Sequence, residues 1–98
     1  MSDKFDALAH PVRREILQLL RKKAMSAGEI AEHFTLSKPT LSGHFAVLKS
    51  ADLVTTERQG TTIIYRLNMS ALEEAIGALM DIAQINKKGA AKWLFARS

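Results

Sequence analysis

Between residues 37 and 59 the chain gathers side chains suited to reading a polar, anionic surface. Ser37, Lys38, Thr40, Ser42, Gly43 and His44 fall close together, and Arg58 with Gln59 follows in a separate segment. Hydroxyls donate and accept, an ammonium donates, and an imidazole can do either, so such a set can hydrogen-bond base edges and phosphate oxygens. None of this chemistry makes or breaks a covalent bond. The sequence has no Ser–His–Asp order, no glycine-rich phosphate loop and no paired carboxylates in registry. Glu29 and His33, at i and i+4, form a helix-surface pair with nothing to act on. The expectation is a binding protein, not an enzyme.

The elements that must position these groups are visible in Met25 to Leu53, MSAGEIAEHFTLSKPTLSGHFAVLKSADL. Two short helical patterns stand there, separated by three or four residues, each with its own start signal. Ser26 can cap the amide of Glu29 while Glu29 reaches back, and Met25 can staple onto Ile30. Ser37 repeats the logic, with Leu36 before it, Pro39 in the first turn and Leu41 where a staple would close. Two capped helices joined by a tight turn make a helix-turn-helix, whose second helix is a candidate for the DNA major groove. On that helix Leu41, Phe45 and Leu48 form the buried face, and Pro39, Thr40, Ser42, Gly43, Ala46 and Val47 point away or flank it. Lys38 can reach a phosphate or a guanine edge, and Ser37 reads as a cap before it reads as a contact. His44, at the stripe boundary, is either a phosphate donor or a half-buried packing residue. Gly43 either allows close approach to a base pair or weakens readout.

Before this motif, Lys4 to Ala9 reads as a short helix with Phe5 and Leu8 at i,i+3. Pro11 then restarts the chain for a second helix with Val12, Ile16, Leu19 and Leu20 on its apolar stripe. After the motif, Leu53 to Arg58 and Thr61 to Leu67 read as a two-stranded ribbon around Gln59-Gly60. Ile63, Tyr65 and Leu67 share one face, which makes Tyr65 a core residue, and Arg58 and Gln59 at the tip suit phosphate or minor-groove contact. Asn68 or Ser70 starts a long helix with Leu72, Ala75, Ile76, Leu79, Met80 and Ala83 on one stripe, broadened by Ile82 and Ile85. One protomer of this size can hardly cover both that stripe and the second-helix stripe. A homodimer through Leu72, Ile76, Leu79, Met80 and Ala83 is therefore expected. Residues 1–88 read as one domain and 89–98 as a final turn or tail.

The 98 residues carry a net charge of +4, which favours an anionic partner without naming one. The charge is uneven: Met1 to Ala24 has six Lys/Arg against three acids, and Met25 to Leu67 has four against four. Attraction to phosphates is thus expected to come largely from Arg13, Arg14, Arg21, Lys22 and Lys23. The absence of cysteine excludes thiolate metal sites and thiol switches. No signal peptide or membrane-spanning run is apparent, so a soluble cytoplasmic protein is the expectation.

The order of elements is that of a mainly α winged helix-turn-helix with a β-hairpin wing and an added C-terminal dimerisation helix. Its residues also resemble a family. AHPVRREILQLL is similar to the "DPTRRxIL" opening of ArsR-type (ArsR/SmtB) repressors. MSAGEIAEHFTLSKPTLSGHFAVLKSADLV resembles their "(S/T)xxELAxxLxxSxxxxSxHLxxLxxAGLV" core, and TERQGTTIIYRL resembles their wing. The resemblance spans roughly residues 4 to 85 and is nearest the SdpR-like autorepressor subgroup. It implies a homodimeric repressor on a pseudo-palindromic operator, plausibly its own, released by a regulatory protein partner. Three positions depart from the pattern: Gly43 replaces a common polar residue, Thr61 a common wing cation, and Ser50-Ala51-Asp52 lacks the usual glycine. Metal sensing in this family uses cysteines, or His and carboxylates on the terminal helix. Here His10, His33 and His44 all precede the wing, and Glu73, Glu74 and Asp81 have no imidazole partner, so no metal and no cofactor are expected. The competing reading is a protein-interaction module on the same scaffold with little direct DNA reading.

Overall fold

The computed structural model describes residues 3–84. Ile85, the boundary at 88 and the 89–98 tail with Trp93, Leu94 and Phe95 lie outside the described residues. The first helix, α1 (Lys4–Leu8), starts where the Asp3 carboxylate accepts from the Asp6 amide at 2.7 Å. Its buried residue is Ala7; of the expected Phe5–Leu8 pair, Leu8 packs on the core edge while Phe5 stays 44% exposed. Helix α2 (Pro11–Lys22) has Pro11 in its first turn and His10 as its cap, with the imidazole Nδ1 accepting from the Val12 amide at 3.1 Å. Ile16, Leu17 and Leu20 are buried, and Val12 and Leu19 pack on the core edge. Leu17, absent from the predicted stripe, is buried because α2 is covered from several sides and its apolar arc is wider than one row.

Strand β1 (Met25–Ser26) was not anticipated. Its two residues pair with a strand almost forty positions later, and no local pattern announces so short an edge. Ser26 also caps α3 (Ala27–Ala31): its Oγ accepts from the Glu29 amide at 3.1 Å while Glu29 accepts from the Ser26 amide at 2.9 Å. This is the predicted capping box, and Met25 and Ile30 are both buried beside it. Residues 32–37 then separate α3 from α4 (Lys38–Ser50), a longer gap than expected. Helix α3 ends early because the amides of His33 and Phe34 turn back to the carbonyls of Ile30 and Ala31, and Phe34 packs on the core. Ser37 caps α4 as predicted, accepting from the Thr40 amide at 3.3 Å, and Leu41, Phe45 and Leu48 form the buried face. Leu36 remains 38% exposed, so it contributes little as a staple.

Helix α4 stops at a turn that explains the missing glycine. Asp52 takes a left-handed conformation (φ 66°), the Leu53 amide donates to the Leu48 carbonyl, and the Asp52 amide donates to that of Lys49, both at 3.0 Å. This is a Schellman arrangement with aspartate where glycine is favoured. The Asn68 side chain donates to the Asp52 carbonyl at 2.8 Å, and Leu48 and Leu53 on either side of the turn are fully shielded.

Strands β2 (Val54–Gln59) and β3 (Thr62–Leu67) complete a three-stranded antiparallel sheet in the order β1-β3-β2. Gln59 pairs with Thr62, so the loop is Gly60-Thr61, one residue later than the expected Gln59-Gly60. Gly60 alone has positive φ (65°), as a type II′ turn needs at its first central position. Tyr65 pairs with Thr56 across the ribbon and lies against Phe45 of α4, ring centroids 4.9 Å apart, in the core role predicted for it. Helix α5 (Met69–Ile82) is capped by Asn68, which accepts from the Ala71 amide. Its inward side carries Ala71 and Ala75; Ile76, Leu79 and Ile82 are 46%, 50% and 78% exposed.

Because Asp52 holds a backbone conformation that glycine adopts without penalty, Asp52→Gly should raise stability by about 1 kcal/mol. Urea denaturation followed by circular dichroism would measure it; an unchanged or lower midpoint would mean that the Asp52 side chain stabilises the turn.

Candidate nucleic-acid interface

Burial of Leu41, Phe45 and Leu48 sets the rotation of α4, and Lys38, Thr40, Ser42, Gly43, Ala46 and Lys49 are left exposed. The Thr40 hydroxyl oxygen accepts from Ser37 at 2.9 Å, so these two side chains form one capping unit and Thr40 keeps its own proton to donate. Ser42 stands at the mouths of two shallow clefts. One, of about 300 Å³, lies between α3 and α4 beside Lys38; the other, of about 230 Å³, lies between α4 and β3 beside Lys49 and Tyr65. Lys49 was missed as a candidate, although its i+7 spacing from Ser42 puts it on the same row. An added Cβ at Gly43 would meet nothing within 4 Å, so the middle of this face is bare.

His44 turns the other way. Its Nδ1 lies 3.2 Å from Nη1 of Arg13, and its ring centroid is 4.4 Å from that of His10. A guanidinium only donates, so Nδ1 must accept, and the neutral ring carries its proton on Nε2. Burial first, and then the His10 and Arg13 charges, hold the imidazole below its ordinary pKa of 6.5. Of the two roles open to His44, half-buried packing describes its position. No local pattern could have joined it to Arg13, which lies thirty-one positions earlier.

The predicted phosphate cations are partly committed elsewhere. Arg13 donates through Nε to the Ala7 carbonyl at 2.8 Å and through Nη2 to that of Asp6 at 3.1 Å, and Arg14 donates to the Leu8 carbonyl at 2.7 Å. Arg13 thus caps the end of α1, adding to the Asp6 carbonyl that the Ala9 amide already meets and satisfying that of Ala7, while exposed Arg14 gives one donor to Leu8. Arg21 shares a cleft with Arg66, Leu67 and Met69 beside the start of α5. On the wing, Arg58 pairs with Ile63 and so lies on the Tyr65 side of the ribbon, and Gln59 is exposed at the turn. Arg66 and Glu57 form an exposed ion pair at 3.1 Å, a contact that contributes little. Among the described residues no group of three His, Asp or Glu is placed to hold a metal ion together, and no helix is long and apolar enough to cross a membrane.

A capped helix pair with an exposed polar second helix, flanked by a β-ribbon, defines a winged helix-turn-helix protein. A family described as a helix-turn-helix domain matches residues 8–57. The chain is 42% identical over 87 residues to the transcriptional repressor SdpR of Bacillus subtilis (strain 168), covering 89% of this chain and 94% of that protein. It is 39% identical over 84 residues to the arsenical resistance operon repressor of Staphylococcus xylosus, covering 86% and 80% of the two chains. A crystal structure of a possible transcriptional regulator for arsenical resistance matches with a TM-score of 0.76 at 32% identity, covering 100% of this chain and 98% of that one. The chain belongs to the ArsR-type family of winged helix-turn-helix repressors, DNA-binding regulators of transcription and not enzymes.

Gly43 separates two readings of the bare face. Gly43→Ala should stabilise α4 by about 1 kcal/mol, since the position is helical and open. The same methyl should weaken operator binding, because it stands where a base pair would approach. A more stable variant with undiminished affinity in fluorescence anisotropy would show that the glycine plays no part in reading.

Proposed function

We propose that the protein is a cytoplasmic repressor that binds a pseudo-palindromic operator, upstream of its own gene, as a homodimer. The observation that supports this most is the outward face of α4. Lys38, Thr40, Ser42, Gly43 and Lys49 are exposed on a helix whose opposite side is locked into the core, with Arg58 and Gln59 alongside on the wing. In this reading Lys38, Thr40 and Ser42 meet base edges, Ser37 sets the cap that holds them, and Arg58 and Gln59 meet phosphate or minor groove. His44 acts from behind the helix.

Dimerisation is proposed through Leu72, Ile76, Leu79, Met80 and Ala83: Ile76, Leu79 and Ala83 are exposed, Met80 is half-buried, and Leu72 also packs on the core edge. Ile76 and Leu79 are about half exposed, an arrangement a lone protomer has no reason to keep. A two-fold axis would set two α4 helices roughly 34 Å apart, one turn of DNA. Release by a regulatory protein is proposed in place of release by a metal, given the ligand set of the described residues.

Two experiments test this. Arg58→Ala should weaken specific and random DNA alike and flatten the dependence of log affinity on log salt by about one unit. Ser42→Ala or Thr40→Val should instead cost about 1–3 kcal/mol on the operator and little on random DNA. If dimeric, folded variants all bound as tightly as the wild type, the protein-interaction reading would replace DNA reading. For the dimer, each apolar side chain covered contributes on the order of 1.5–3 kcal/mol. Replacing both Ile76 and Leu79 with Glu should therefore yield monomers in sedimentation; a dimer that survives both changes would place the interface elsewhere.

A further inference from the structure

We propose that Arg13 is a positioning residue for DNA reading: its guanidinium clasps the end of α1 to His44 of α4, and the clasp closes only on the neutral imidazole. The inference rests on the DNA-binding reading above. One guanidinium makes three contacts on two elements: the carbonyls of Ala7 and Asp6 at 2.8 and 3.1 Å, and Nδ1 of His44 at 3.2 Å. The planar fork fixes those directions together, so the ring of His44 is held relative to α1 as well as to α2. His44 is bracketed on α4 by Gly43 and is two positions from Ser42. Its tether therefore acts on the exposed segment, one that a glycine leaves without side-chain support.

The clasp is sensitive to acid by construction. His44 Nδ1 accepts from Arg13, and His10 Nδ1 accepts from the Val12 amide as the cap of α2. Neither nitrogen can accept once it carries a proton, and the two rings are 4.4 Å apart. A protonated His44 would set a charged imidazole directly against the Arg13 guanidinium. No carboxylate is among the groups that act on His44. Asp3 of the α1 cap accepts from the Asp6 amide, Asp6 offers Arg13 its backbone carbonyl, Glu29 of α3 is held in its capping box, and Glu57 of β2 pairs with Arg66. The influences on His44 all lower its proton affinity: burial, then His10, then Arg13. An opened clasp therefore takes up the proton before the closed one. The closed form is fully favoured above the ordinary imidazole value of 6.5 and is lost as the pH falls below it.

The test uses a duplex selected from random-sequence DNA by the wild-type protein at about pH 8, with a scrambled duplex as reference. The readout is the ratio of the two affinities, in which a general gain of positive charge cancels. For wild type the ratio should fall about fivefold or more between about pH 8 and about pH 5.5. Arg13→Met should lower it by a similar factor at the higher pH while leaving the salt slope unchanged. The paired variant His10→Asn with His44→Asn keeps an accepting oxygen near each Nδ1 and removes the imidazoles, so its ratio should change little with pH. A flat wild-type ratio, an unaltered pH response in the asparagine pair, or a salt slope reduced by about one unit in Arg13→Met would each overturn the clasp. The last result would make Arg13 a phosphate contact. If selection recovers no sequence at all, the DNA-binding reading falls and the clasp with it; a selected duplex with a flat ratio removes the clasp alone.

Discussion

The contact beneath α4 is the constraint on which the rest of the molecule depends. Leu41, Phe45 and Leu48 are buried together with Ile16, Leu20 and Ile30, and this fixes how the helix is rotated about its axis. A helix turns by about 100° per residue, so a slip of one position would exchange Ser42 and Gly43 for Leu41 on the outside. The same buried row joins the wing to the helix pair, because Tyr65 stacks on Phe45. Both ends of α4 are fastened as well, by Ser37 at the start and by the Asp52 turn with Asn68 at the finish. A surface meant to match the edges of another molecule needs this kind of restraint.

The distribution of charge acquires a different meaning once the side chains are placed. The basic N-terminal segment reads as an electrostatic handle, yet Arg13 spends its donors on His44 and on carbonyls at the end of α1, and Arg14 gives one there. Arg66 meets Glu57 on the wing. Among the described residues, the exposed side of α4 carries the cations Lys38 and Lys49, with Arg58 on the ribbon. Such a face suits an interaction with few phosphate contacts, in which shape and hydrogen bonding carry more of the discrimination than long-range attraction.

Helix α5 divides its apolar residues by size. Ala71 and Ala75 face inward, where the short side chains let the helix lie close to the rest of the domain. The larger Ile76, Leu79 and Ile82 face outward. A helix whose bulk points to solvent is incomplete by itself, which is why the dimer proposal and the DNA proposal are linked. In the proposed dimer, the relative placement of two α4 helices would be set by the contact across this side.

Much of this was already determined by the sequence, because it depends on groups a few residues apart. The capping box at Ser26 and Glu29, the Ser37 cap, the buried row of α4 and the alternation that makes Tyr65 a core residue are all local patterns. The physics of helix ends and of strand pleating leaves them little freedom. What remained undecided needed partners distant in the chain. The pairing of β1 with β3, the shift of the turn to Gly60-Thr61, and the burial of Leu17 depend on which surfaces meet. The aspartate in the left-handed position after α4 departs from local preference, and it is held by Asn68, sixteen positions later. The contact between Arg13 and His44 was also beyond local reading: the stripe left half-burial of His44 open but could not name a partner thirty-one positions away. Tertiary structure decided these points because a hydrogen bond or a packed contact has no sequence signature until the chain has brought its two halves together.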